Sequence, residues 1–148
     1  MNQELEKKIR QLLDIEDIKI LKRKYAGYCD DNYNPAGISE LFTEDAIWDG
    51  GPIGFAETRQ GIKEYFTTTS DRISFAMHYM VNPIIEVEGD EAKGQWYLWQ
   101  PMTIREGNQA MFLVATYDDI YVRQNENWLF KHVKLSVKSR KPYQGEFG

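Results

Sequence analysis

Cysteine is nearly absent from the chain: Cys29 is the only one among 148 residues. That excludes an internal disulfide and a multi-cysteine zinc site. Histidine is almost as scarce. His78 and His132 stand alone, without His-x-His or His-x-x-x-His spacing, so no metal site is read from the sequence. An excess of positive charge is missing too. The formal net charge of −5 argues against a nucleic-acid partner, because phosphate binding needs a basic face. Long apolar runs are lacking. The longest, Ala110 to Ala115, is far short of a bilayer span, and the opening MNQELEKKIRQLL has no apolar core of a secretory signal. No membrane partner is expected, and the chain reads as a cytoplasmic protein. Glycine-rich nucleotide loops, a P-loop and a nucleophile elbow are also missing, so no cofactor is expected.

Aromatic residues, by contrast, are abundant. Nine Tyr, seven Phe and four Trp make up 14% of the chain. Such side chains bring large burial areas, and the polar tips of Tyr and Trp need partners when buried. This suits a sheet core and equally the wall of a pocket for an apolar ligand.

The length fits one domain, with residues 1–135 as an α+β unit and 136–148 as a C-terminal tail or pocket flap. Ile9, Leu12, Leu13, Ile18, Leu21, Tyr25, Tyr28 and Cys29 recur at three- and four-residue steps, which predicts helix. Asp14 to Asp17 is read as a break, with Asp14 capping a second helix that ends near Asp30. Asn34-Pro35 marks a turn before a short helical piece, Ala36 to Phe42, and a strand at Ala46 to Trp48. A glycine-rich loop then leads to a third helix over Gly61 to Thr67. After Ser74 the pattern changes to long strand-like runs: Phe75–Val87, Ala92–Ile104, Gln109–Arg123 and Asn127–Val137. The short turns between them predict an antiparallel meander, and helices followed by strands predict a curved sheet closed on one side by helices.

Two positions carry the candidate chemistry. Asp30 falls at a helix C-terminus, where a carboxylate is unfavourable by about 0.3–1 kcal/mol, unless the helix has already ended and Asp30 and Asp31 serve the turn. His78 lies in Phe75-Ala76-Met77-His78-Tyr79-Met80-Val81, apolar on both faces. Burial would favour its neutral form, a proton acceptor, and a nearby carboxylate would fix its tautomer. The alternative is a core histidine bonded to a backbone carbonyl. Cys29 shares the apolar helix face beside Asp30 and reads as core, since a neighbouring carboxylate disfavours a thiolate.

Several segments together resemble the SnoaL-like group of the nuclear-transport-factor-2-like superfamily. They are Lys24 to Asp30, Leu41-Phe42-Thr43-Glu44-Asp45-Ala46-Ile47-Trp48, Met77 to Pro83, the Glu88-Gly89-Asp90-Glu91-Ala92 hairpin, and Tyr121-Val122-Arg123 with Trp128-Leu129-Phe130. The resemblance covers roughly residues 5–135 and implies a cone-shaped α+β roll: about three N-terminal helices on a strongly curved antiparallel sheet. Within the group the chain is most similar to lyases: the bile-acid 7α-dehydratases, the hexachlorocyclohexane dehydrochlorinases and, more distantly, the scytalone dehydratases. These imply a base dyad of His78 and Asp30, with Tyr25 as a pocket tyrosine and Tyr28 as its alternative. Gln100 replaces a pocket aspartate of the bile-acid enzymes, and Val133 replaces an arginine of the dehydrochlorinases.

The implied activity is cofactor-independent loss of water or halide from a small hydrophobic, cyclic molecule. Alternatives are an isomerase or cyclase in which Asp30 itself shuttles the proton, and a non-catalytic small-molecule binder. Tyr25, His78 and Gln100 are expected in one cavity walled by Trp48, Phe55 and Tyr117. Apolar residues on both sheet faces, together with the resemblance, imply a homo-oligomer: a trimer, otherwise a dimer.

Overall fold

The computed structural model describes residues 2–147. Its elements are α1 (Gln3–Asp30), α2 (Pro35–Glu40), β1 (Phe42–Asp49), β2 (Phe55–Glu57), α3 (Arg59–Thr67), α4 (Thr69–Arg72), β3 (Ile73–Ala76), β4 (Tyr79–Glu88), β5 (Glu91–Ile104), β6 (Gln109–Gln124) and β7 (Asn127–Pro142). The strands form one sheet in the order β2-β1-β7-β6-β5-β3, with β4 also pairing β5. The helices pack against this curled, unclosed sheet, giving the expected α+β cone. Among the described residues no helix is long and apolar enough to cross a membrane.

The expected break in the first helix does not occur. Asn2 caps α1 by accepting the Glu4 N–H at 2.8 Å, and the helix runs for 28 residues. Asp14 is buried, and its carboxylate accepts from the Trp128 indole at 3.2 Å and from Arg123. It anchors α1 to the β6–β7 hairpin instead of capping a second helix. Glu16 is met on the surface by Lys19 at 2.7 Å, so nothing interrupts the helical ladder. Leu12 and Leu13, read as part of the apolar face, are 64% and 61% exposed. The buried stripe of α1 is Asp14, Ile18, Leu21, Lys22, Tyr25, Ala26 and Cys29.

The meander from β4 to β7 is antiparallel as expected, but the sheet is mixed, because β1 pairs parallel to β7. β1 also begins four residues earlier than read, at Phe42, where it already pairs with Phe130. Along β5 burial alternates strictly: Ala92, Gly94, Trp96, Leu98, Gln100 and Met102 face the helices, while Tyr97 and Trp99 face outward. Gly94 is required by close approach, since a Cβ there would come within 2.7 Å of the Tyr121 hydroxyl.

The C-terminal residues are not a frayed tail. β7 continues through 136–142, and Tyr143 and Phe147 pack on Phe112, with Thr103 Oγ1 donating to the Phe147 carbonyl at 2.8 Å. Within the expected segment 136–148, Arg140 lines the cavity and residues 143–147 do not. Gly148 lies outside the described residues.

Candidate active site

The single strand expected over Phe75–Val87 is interrupted at Met77 and His78, and the interruption builds the site. Met77 donates its amide to the Pro101 carbonyl at 3.1 Å, but Pro101 has no N–H to return. The ladder opens there without losing register, since Ala76 pairs Met102 and Tyr79 pairs Trp99. His78 therefore stands opposite Gln100 at a position whose N–H points away from β5, towards the free edge. The end of α1 lies at that edge. Asp30 Oδ1 accepts the His78 amide at 2.8 Å and contacts its Nδ1 at 2.7 Å. Two donors thus satisfy the carboxylate that is unfavourably placed at its helix terminus.

This contact assigns the tautomer. With Asp30 ionised, Nδ1 carries the hydrogen and Nε2 holds the free lone pair. Nε2 faces the Tyr33 hydroxyl at 3.5 Å, a long contact, and that hydroxyl accepts from Gln100 Nε2 at 3.3 Å. Burial raises the Tyr33 phenol well above its ordinary pKa, so it stays protonated and can donate.

His78 lines a cavity of about 450 Å³, within the range of small-molecule sites, as does Tyr33, the neighbour of its Nε2. Of the residues expected there, Tyr25, Trp48, His78, Gln100 and Tyr117 line it; Asp30, Tyr28 and Phe55 do not. Asp30 opens instead onto a groove between α1 and β4, behind the imidazole. Tyr28 packs its ring over Gly37 of α2, where the absent side chain leaves room. Phe55 sits on the outward phase of an edge strand, 55% exposed, while Ala56 points in. The Tyr25 hydroxyl is buried and accepts from the Trp48 indole at 2.9 Å. Burial pushes the Cys29 thiol pKa well above its ordinary value, which removes it as a nucleophile.

Tyr33 is a site residue that the sequence reading missed, lying just before the Asn34-Pro35 turn. Its backbone is held at φ 52°, an unusual conformation for a bulky residue. Its ring stacks on Phe66 with centroids 6.0 Å apart. A signal did exist: Tyr25, Cys29 and Tyr33 continue one four-residue stripe past the end of the helix.

A SnoaL-like domain model matches residues 10–134. The chain belongs to the SnoaL-like family. This membership agrees with the cone fold and with the segments that first suggested it. A hexachlorocyclohexane dehydrochlorinase (LinA, type 2) superposes with a TM-score of 0.86 at 21% identity, over 93% of this chain and 94% of that one. A candidate scytalone dehydratase from Novosphingobium aromaticivorans gives 0.82 at 21% identity, over 91% of each chain. A candidate aromatic ring hydroxylase from the same species gives 0.79 at 25% identity, over 87% and 94%. No curated protein matches. At these identities the structural likeness establishes the fold, and the SnoaL-like family includes more than one chemistry.

Proposed function

We propose that this SnoaL-like protein is a lyase that eliminates water or halide from a small, largely hydrophobic, cyclic substrate, with His78 as base and Asp30 as its orienting partner. One observation carries the reading: His78 faces a cavity of small-molecule size, while Asp30 holds the opposite ring nitrogen and does not reach that cavity. The relatives named as dehydrochlorinase and dehydratase are in keeping with it. So is the cavity's makeup, which is aromatic and aliphatic around a few convergent polar groups.

In this mechanism Nε2 takes a proton from the substrate carbon, and the C–H electron pair becomes the new double bond as the leaving group departs. Asp30 stabilises the imidazolium that forms, the logic of a base with an orienting carboxylate. The Tyr33 hydroxyl, next to Nε2, donates its proton to departing hydroxide and recovers one from the imidazolium, so one water leaves and the enzyme is unchanged. A departing halide needs only the hydrogen bond, and the imidazolium then releases its proton to solvent. Tyr33 thus joins Tyr25 as a candidate donor: the Tyr25 hydroxyl accepts from the Trp48 indole and keeps its own hydrogen to give, but Tyr33 is the one beside Nε2.

The same observation disfavours Asp30 as a proton shuttle, because a shuttle must touch the substrate. The test is a panel of hydroxylated and halogenated cyclic compounds, followed by halide release or alkene absorbance, on wild type and His78→Ala. Turnover lost in the variant supports the reading. Turnover unaffected by the variant, or none across the panel, overturns it and favours a binding protein.

The outward sheet face supports self-association. Tyr79, Val81, Ile84, Tyr97, Trp99 and Ile120 are all exposed there, an apolar patch that a monomer seldom leaves open. A trimer, otherwise a dimer, is the proposed state. Light scattering that returns a monomer at micromolar concentration contradicts it.

A further inference from the structure

Strand register sets a row of side chains across the concave face. His78 stands opposite Gln100 on β5, Gln100 pairs with Leu113 on β6, and Leu113 pairs with Arg140 on β7. All four line the same cavity. With strands ~4.8 Å apart, three steps place Arg140 ~14 Å from His78 along the row. The row runs from a sheltered basic nitrogen, across buried Leu113, to an exposed cation at the mouth.

A β-bulge puts the arginine there. Ala115 pairs with Val137, but Val114 pairs with Ser139 and Leu113 with Arg140, so β7 carries one extra residue at Lys138. Without it Ser139 would face Leu113, and Arg140 would point out of the cone. Among the described residues Arg140 also makes no ion pair. The arginine ion pairs among the described residues belong to Arg59 and Arg123, and Arg105 is tied to the Ser70 carbonyl. Arg72, Asp71 and Glu106 line the same mouth, so the rim as a whole is balanced, and any preference for charge is local to the Arg140 end of the row. Arg72 lies over the Tyr65 ring.

From this placement we propose that the cavity selects organic acids: an apolar skeleton lying over Leu113, with a carboxylate received by the Arg140 guanidinium and the far end at His78. The planar fork of an arginine suits a carboxylate. Only the statement of which end reacts rests on the lyase reading; recognition of the anion does not.

The experiment compares 2-naphthylacetate with 2-naphthylacetamide, equal in shape and differing in charge, by calorimetry on the full chain. In wild type at low salt the acid is expected to bind about tenfold more tightly. Arg140→Gln should bring acid and amide within about twofold by weakening the acid alone. Arg140→Lys, which keeps the charge and loses the fork, should retain part of the preference. Equal affinities in wild type, no binding of the acid, or an Arg140→Gln loss shared equally by acid and amide each overturns the proposal. The readout is binding, so failure of the elimination chemistry leaves this expectation standing. Equal binding of acid and amide leaves the elimination chemistry standing.

Discussion

Two of the carboxylate–base pairs that α1 makes with the sheet, His78–Asp30 and Lys22–Asp119, differ in one respect. At His78–Asp30 the side chains are 5% and 17% exposed, and the imidazole keeps a free nitrogen facing the cavity. At Lys22–Asp119 they are 1% and 0% exposed, with Nζ to Oδ2 at 2.8 Å. The second pair is sealed. The Lys22 ammonium sits 3.5 Å from the Tyr117 ring centroid, behind the cavity wall, and the Tyr121 hydroxyl donates to Asp119 Oδ2 at 2.7 Å while accepting from the Trp96 indole at 3.0 Å. Burial dominates both partners, lowering the Lys22 pKa and raising that of Asp119, with their attraction working against it. Similar ingredients thus hold wall and helix together in one place and leave a proton acceptor open to a ligand in the other. Access, more than charge, separates them.

The two pairs should therefore fail differently. The largest effect should come at the open pair. His78→Ala is expected to keep the fold and lower kcat/KM by about 10²–10⁴-fold, the usual worth of a positioned base. Activity and a denaturation curve measured together check both halves.

At the sealed pair the loss should appear as stability. Lys22→Met leaves a buried carboxylate without its partner and should cost about 3–5 kcal/mol in chemical denaturation. Lys22→Met with Asp119→Leu should recover most of that, because the uncompensated charge is gone and only the Tyr121 hydroxyl loses an acceptor.

A smaller effect follows with pH. Burial already holds the Asp119 carboxyl above its usual range, and losing Lys22 removes an influence that lowers it. The folded variant then keeps a proton that the unfolded chain, with an aspartate pKa of about 3.9, releases. The folded state binds more protons, so stability falls as pH rises through the folded pKa. The deficit of Lys22→Met against wild type should therefore be smaller at pH 5 than at pH 8.

The smallest effect concerns Tyr33→Phe, which removes one hydroxyl between Gln100 and His78. With a halide substrate about tenfold in kcat/KM is expected, the worth of one hydrogen bond to a reacting group. Unchanged activity would assign Tyr33 to packing against Phe66 alone.

The open pair was more legible in the sequence than the sealed one. Asp30 and His78 stood out because each conflicted with its local setting, a carboxylate at a helix C-terminus and an imidazole in an apolar run. Gln100 was expected in the cavity from the family resemblance, and the alternating burial of β5 turns it to the inner face. Lys22 gave no such signal, since a lysine on a charged helix reads as surface until the partner strand is known. Asp14 misled for a related reason: its capping chemistry was real, but Trp128 and Arg123, more than a hundred residues away, claimed the carboxylate. Phe55 and Tyr28 were assigned by aromatic character, which cannot tell the inward phase of an edge strand from the outward one, nor foresee the space over Gly37. Arg140 depends on a bulge, and one extra residue in a ladder leaves no mark on composition or periodicity.

The central claim is that His78 touches the substrate and Asp30 acts only through it. The direct measurement is kcat/KM on one turned-over substrate for wild type, His78→Gln and Asp30→Asn, each with its fold verified. His78→Gln is expected to be the more damaged variant, with Asp30→Asn retaining residual turnover because an amide oxygen can still orient Nδ1. A dead Asp30→Asn beside a partly active His78→Gln would contradict it and make Asp30 the proton carrier.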